Sequence, residues 1–143
     1  VRIRFVMLGK TRRAESRALL EDYVRRIGHY AEVEVSDLRD SSAAALRKLK
    51  IEPGAAVVSL DAAGKQFTSQ QFARWLGQLR DGGTREIAFL CGDAEGFPPE
   101  LRESARHKVS LSTLTMPHEF ARVVLAEQIY RAFAILAGHP YPK

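Results

Sequence analysis

Residues 55–91 decide the fold: Ala55-Ala-Val-Val-Ser-Leu60, then Thr68-Ser69 ahead of Phe72, Trp75, Leu76 and Leu79, then Gly82-Gly83 and Glu86-Ile-Ala-Phe-Leu-Cys91. The first and last runs are short and almost uninterrupted in apolar residues, as in strands whose sheet is covered on both faces. Between them the apolar residues recur at helical spacing. Thr68 or Ser69 supplies the side-chain oxygen an N-cap needs, and the glycine pair stops the helix. A buried strand, a helix and a second buried strand make a parallel crossover unit, so the chain is read as α/β.

The same alternation extends outward. Arg2 to Leu8 reads as a strand stopped by Gly9, and Ala14 to Ile27 as a helix with Leu19, Leu20, Tyr23, Val24 and Ile27 on one face. Val33 and Val35 alternate with Glu32, Glu34 and Ser36, the pattern of a strand with one wet face. Ser41 or Ser42 caps a short helix through Leu49, and Pro53-Gly54 turns the chain. Beyond residue 91, Pro98-Pro99 opens a short helix, Lys108 to Leu111 is a fifth strand, and Glu119 to Leu136 is a long helix apolar on nearly every side. One α/β domain over residues 1–143 is expected, with a mostly parallel sheet flanked by helices. So apolar a final helix is expected to be covered in part by a second copy of the chain.

With 45% apolar and 27% charged residues, the composition is that of a folded protein rather than a disordered tail. The uncharged apolar runs are strand-length, the N-terminal Val-Arg-Ile-Arg-Phe does not read as a secretory signal, and a cytoplasmic protein is expected. A single cysteine, Cys91, excludes an internal disulfide framework; at the end of an apolar strand it reads as a buried structural thiol rather than a nucleophile. The net charge is +5, and all of the excess lies in residues 1–30, where eight basic residues face three acidic ones. Such a basic patch suits a polyanion, with nucleic acid foremost, although a merely solvated surface has the same composition.

Generic motifs fail. Gly9-Lys10-Thr11 resembles the end of a phosphate loop, but position 4 is Arg4 where that loop needs glycine. Gly92-x-x-x-Gly96 lacks the dinucleotide fingerprint, and Asp93 and Glu95 would repel a pyrophosphate. His29, His107, His118 and His139 have no metal-ligand spacing, so no metal is expected. What remains is two polar loops after strands, Cys91 to Gly96 and Leu111 to Met116. Ligands of open α/β sheets bind beyond the carboxyl ends of strands. The second loop offers main-chain groups between Leu114 and Met116, suited to an uncharged ring such as adenine; an ordinary turn before the last helix would read the same way.

Five blocks then carry a resemblance: Val58-Ser-Leu-Asp61, Cys91-Gly-Asp-Ala-Glu-Gly96, Ser110-Leu-Ser-Thr-Leu-Thr-Met-Pro-His118, Arg122-Val-Val-Leu-Ala-Glu-Gln-Ile-Tyr-Arg-Ala132 and His139-Pro-Tyr141. In order and spacing the chain resembles the ribosomal RNA large subunit methyltransferase H family of the SPOUT superfamily. The resemblance implies an α/β fold with a C-terminal deep trefoil knot and a homodimer. It also implies S-adenosyl-L-methionine as methyl donor and N3 of a pseudouridine in helix 69 of 23S rRNA, in the assembled ribosome, as the target. By position it assigns the cofactor to Leu60, Gly92, Leu111, Ser112, Thr113, Leu114, Thr115 and Met116.

Methyl transfer to N3 requires loss of a proton, which a cation beside the developing anion would favour. Arg131 can hold the uracil carbonyls or a phosphate, or can form an i, i+4 ion pair with Glu127. Tyr141 can stack on the base or simply anchor the chain end. His139 can assist proton transfer, whereas His118, at a helix start, reads as structural. The family's tail usually continues with a histidine after the tyrosine; Pro142 stands there, and Lys143 is left as the tail cation. Arg12, Arg13, Arg17 and Arg25, together with Lys143, are the expected RNA contacts. A non-catalytic, ribosome-associated RNA-binding module is the alternative that the basic first helix would serve.

Overall fold

The computed structural model describes residues 1–40, 42–92, 97 and 99–141, without the side chains of Glu100, Leu101 and Ser104. Ser41, residues 93–96, Pro98, Pro142 and Lys143, to which the sequence reading gave roles, lie outside the described residues.

In chain order the elements are β1 (Arg2–Leu8), α1 (Ala14–Ile27), β2 (Glu32–Leu38), α2 (Ala43–Lys48), β3 (Ala56–Gln66), α3 (Ser69–Asp81), β4 (Glu86–Cys91), α4 (Pro99–Ser104), β5 (His107–Ser110) and α5 (His118–Leu136). The strands form one parallel sheet in the order β2-β1-β4-β3-β5. Strand alternation sorts side chains between two cores. Ile3, Phe5 and Met7 of β1 with Ile87, Phe89 and Cys91 of β4 face α1, α3 and α5. Val6, Leu8 and Leu90 face the other way, toward Leu38, Leu49 and Phe97. Thr68 caps α3 in a full capping box with Gln71, and Ser42 caps α2.

Three expectations change. The first concerns β3, which does not end at Leu60 but runs on to Gln66. Leu60 and Lys65 both pair with Val109 of β5, and the residues between them loop out as a bulge. A Cβ on Gly64 would sit 2.6 Å from the carbonyl carbon of Lys108 and 2.7 Å from its oxygen, so the two backbones touch there.

The second concerns α5. Much of its apolar surface is covered within the chain, because it packs against both α1 and α3. Tyr30 stacks on Phe133 at 5.8 Å, Tyr23 meets Tyr130, and Gly77 of α3 lets Leu136 approach closely. Phe120, Val124 and Ile135 remain exposed on α5.

The third concerns the basic N-terminus, which is not one patch. Arg2 pairs with Glu32, Glu34 and Glu86, while Arg4, buried, donates to the Leu49 carbonyl and to Glu34 and lies beside Glu86. These acids come from β2 and β4, so only the sheet brings the charges together. On the edge strand β2, Val35 is exposed beside α1 rather than buried.

Candidate functional site

Where β3 bulges after Leu60 and β4 ends, Leu60 and Gly92 meet Met116 around one cavity of about 210 Å³. Phe97, Ala121, His118, Cys91 and Asp61 complete much of its wall, together with Arg102 and Arg122. The position follows from the sheet: in parallel α/β folds the strand ends face outward at one edge, and loops from adjacent strands converge there. Here the bulge after Leu60 bends β3 away at this edge, and the Asp61 carboxylate steadies the bend by accepting the Ala63 N–H at 2.9 Å.

Three of the eight expected cofactor residues, Leu60, Gly92 and Met116, are thus gathered in one place. Leu111 instead lines a neighbouring depression of about 190 Å³ with Phe67, Ser69, Val124 and Gln128. Ser112, Thr113, Leu114 and Thr115 form the turn between the two, with Leu114 77% exposed. The Leu114 N–H is already taken by Ser112 Oγ at 2.9 Å, so the loop offers fewer free main-chain donors than its sequence suggests. Cys91 is buried at the cavity's inner wall, and burial pushes its thiol up to about 12; a thiolate nucleophile is disfavoured there.

Arg122 is buried and joins the cavity to the N-terminal loop: Nη1 donates to Thr11 Oγ1 at 3.0 Å and Nη2 to the Leu8 carbonyl at 2.7 Å. The Nε atoms of Arg122 and Arg102 are shut off from solvent and have no hydrogen-bond partner among the described residues. Sequence reasoning missed Arg102 because it lies in the charged run Glu100-Leu-Arg-Glu, which reads as a solvated surface.

The first turn of α5 also holds the basic loop. Glu119 accepts the backbone N–H groups of Arg12 at 2.9 Å and Arg13 at 3.1 Å. The Arg12 bond, with the Arg13 bond and the nearby Arg122 guanidinium adding to it, holds the carboxyl below its usual range despite partial desolvation. A depressed folded-state pKa means that this anchor contributes fully above the ordinary glutamate range and is lost as pH falls through the lowered value. Glu119→Gln is therefore expected to cost about 1–3 kcal/mol near neutral pH. Urea denaturation over a pH series should show the gap between the two proteins closing under acid conditions.

Arg12 and Arg17 line a cleft of about 590 Å³ with Lys10 and Arg39, against a single acid, Asp37. An adjoining depression of about 580 Å³ shares Lys10, Arg17 and Asp37 and adds Arg25 and Glu21, over the apolar floor of Leu20, Val24 and Val35. Three of the expected RNA contacts therefore share one groove, and Lys10 and Arg39 belong with them. Arg25 also pairs with Asp22 at 2.5 Å. Arg13 points elsewhere, over the ring of Phe120.

The expected catalytic residues lie at the other end of α5. Arg131 forms the i, i+4 ion pair with Glu127 at 2.6 Å, and this bond raises its already high pKa. Gly138, at φ +71°, turns the tail back, and the Tyr141 hydroxyl donates to the same carboxylate at 2.9 Å. Tyr141 lies edge-on to Tyr130 at 4.7 Å and beneath the Arg131 guanidinium; burial, then Tyr23 and Glu127, raise its pKa. His139 is exposed. Both structural alternatives for Arg131 and Tyr141, the ion pair and the packed anchor, thus describe their contacts in the single chain. From His118 to Arg131 an α-helix rises roughly 20 Å, so within one chain these residues and the cavity do not meet.

Comparison with known proteins agrees with this architecture. A family model described as "Predicted SPOUT methyltransferase" matches residues 1–142. A ribosomal RNA large subunit methyltransferase H from Koribacter versatilis is 40% identical over 99% of this chain and 97% of its own, and one from Gloeobacter violaceus is 41% identical over 99% and 98%. The fold is similar to that of a probable methylase family protein from Haemophilus influenzae, with a TM-score of 0.58 and 11% identity, over 95% of this chain and 66% of that longer one, just under two thirds. It is also similar to that of the TrmH/SpoU tRNA modifying enzyme from A. aeolicus, with a TM-score of 0.50 and 14% identity over 96% and 77% of the two chains. A parallel sheet with a cavity beside the β3 bulge and the end of β4, a full-length family match and full-length relatives lead to one conclusion: the chain belongs to the ribosomal RNA large subunit methyltransferase H family of SPOUT methyltransferases.

Proposed function

We propose that this protein transfers a methyl group from S-adenosyl-L-methionine to N3 of a pseudouridine in helix 69 of 23S rRNA, acting as a cytoplasmic homodimer on the assembled ribosome. The observation that carries this reading is the cavity beside the β3 bulge and the end of β4, which gathers Leu60 of β3 with Gly92 and Met116. Its chemistry fits the cofactor. Leu60, Phe97 and Met116 offer apolar walls, Arg102 and Arg122 offer buried unpaired donors, and Asp61 offers a carboxylate to a cationic ligand. When bound, the cofactor supplies an electrophilic methyl on a sulfonium.

The chain's residues supply position rather than strong acid–base force. Glu127 fixes the Arg131 guanidinium, which holds the uracil carbonyls and stabilises charge as the N3 proton leaves. Tyr141, anchored on the same carboxylate, presents its ring to the base, and the exposed His139 takes the proton. Since Arg131 and the cavity stand about 20 Å apart along α5, the reaction brings them together across two copies. Phe120, Val124 and Ile135 on α5 provide an apolar surface for that contact. A C-terminal trefoil knot around the cofactor site belongs to the same reading, with the backbones of β3 and β5 in close contact at Gly64. The groove of Lys10, Arg12, Arg17 and Arg39 docks rRNA phosphates, so its contribution weakens steeply with salt.

The test is incubation of unmethylated ribosomes with protein and methyl-labelled S-adenosyl-L-methionine, followed by nucleoside mass spectrometry of the rRNA. Label in a 23S pseudouridine supports the reading. Label confined to tRNA or to protein would overturn it.

A further inference from the structure

Arg102 sits on α4, and its guanidinium Nε is shut off from solvent with no hydrogen-bond partner among the described residues. The side chain lines the same cavity as Leu60, Gly92 and Met116. The other guanidinium on that wall, Arg122, is largely committed: its two terminal nitrogens hold Thr11 and the Leu8 carbonyl. A buried guanidinium donor without an acceptor is costly, and it is satisfied best by a planar anion that can accept more than one N–H. Asp61 lines the cavity too, so one small space presents a cationic fork and a carboxylate.

That pairing complements a zwitterionic α-amino acid. The size of the cavity is consistent with this. Sites for whole ligands of drug size run to about 300–1,000 Å³, whereas this cavity measures about 210 Å³, room for one end of such a molecule. A phosphodiester with its two flanking sugars is too large to enter it.

We propose that Arg102 forms the carboxylate half of an amino-acid subsite, gripping the α-carboxylate of the methionine portion of S-adenosyl-L-methionine and setting a preference for it over adenosyl compounds that lack the carboxylate. The proposal rests on the cofactor reading above and adds a selectivity that the reading does not require.

Calorimetric titration with S-adenosyl-L-methionine and with its decarboxylated analogue separates the two, because the ligands differ only in the carboxylate. The wild-type protein is expected to bind the carboxylate-bearing ligand roughly 10- to 100-fold more tightly, the range for charge-assisted hydrogen bonds. Arg102→Ala should erase that ratio while leaving affinity for the analogue nearly unchanged, and Arg102→Lys should retain part of it. Thermal melts of each variant confirm that the fold is intact. Equal wild-type affinity for both ligands would overturn the proposal while leaving the cofactor site standing. An equal loss for both ligands in Arg102→Ala would also overturn it, marking Arg102 as a residue that shapes the cavity. Failure of the wild-type protein to bind either ligand would overturn the cofactor reading and the proposal together.

Discussion

Replacing Gly64 with alanine is expected to separate β3 from β5 and to remove cofactor binding along with much of the protein's stability. The added Cβ would lie 2.6 Å from the carbonyl carbon of Lys108 and 2.7 Å from both its oxygen and the Val109 nitrogen. These are backbone atoms of a paired strand, so no rotamer change relieves the clash. Overpacking a close-packed site costs about 1–3 kcal/mol when side chains can adjust, and more when they cannot. A cost of about 3 kcal/mol would lower the melting temperature of a chain this size by on the order of 10 °C. The same displacement moves Leu60, just ahead of the bulge, and Asp61, its first residue, both of which line the cavity. Ala62→Ser, at an exposed position in the same bulge, is expected to leave melting temperature and binding unchanged. Paired thermal melts and cofactor titrations check both; a stable Gly64→Ala protein with normal affinity would mean that the crossing is looser than described.

Gly92→Leu should have the opposite profile, with binding lost and the fold retained. Gly92 follows the last residue of β4 and borders the cavity rather than either hydrophobic core. A leucine side chain directed into about 210 Å³ would occupy a large share of the space, and affinity for S-adenosyl-L-methionine is expected to fall by at least about 100-fold, some 3 kcal/mol. The stability change should stay near 1 kcal/mol, because no core contact is removed. Gly92→Ala, which adds one methyl group, should fall between the two proteins. Unchanged affinity in Gly92→Leu would place the ligand elsewhere.

The two glycines mark what could and could not be read from sequence. Gly92 follows an apolar run and opens a polar loop, a local signal with a known meaning at the end of a parallel strand. Gly64 sits in Asp61-Ala-Ala-Gly-Lys-Gln66, which has neither alternation nor an apolar run and so reads as the end of a strand. Its importance comes from Lys108, a residue more than forty positions away, and exists only once β5 lies beside β3. The same distinction separates the two views of α5. Its all-round apolar pattern was legible, but the cover it receives from α1 and α3 depends on helix placement that no local pattern encodes.

Charge was the least legible property. Arg2 and Arg4 counted toward a basic N-terminus, yet both are absorbed by Glu32, Glu34 and Glu86 across the sheet. Lys10 and Arg39, which are not among the expected RNA contacts, join Arg12 and Arg17 because β1 and β2 end side by side. Arg102 looked solvated in a charged run and instead borders the cavity. Parity of strands and helices was readable because it is local; which charge meets which is set by the topology.

The most direct measurement is a crystal structure of the protein with S-adenosylhomocysteine, the demethylated product of the cofactor. The expected result is density for the ligand against Leu60, Gly92 and Met116, with its amino-acid end toward Arg102. Ordered ligand in the basic groove of Lys10, Arg17 and Arg39, with the cavity beside the β3 bulge and the end of β4 left empty, would contradict the assignment.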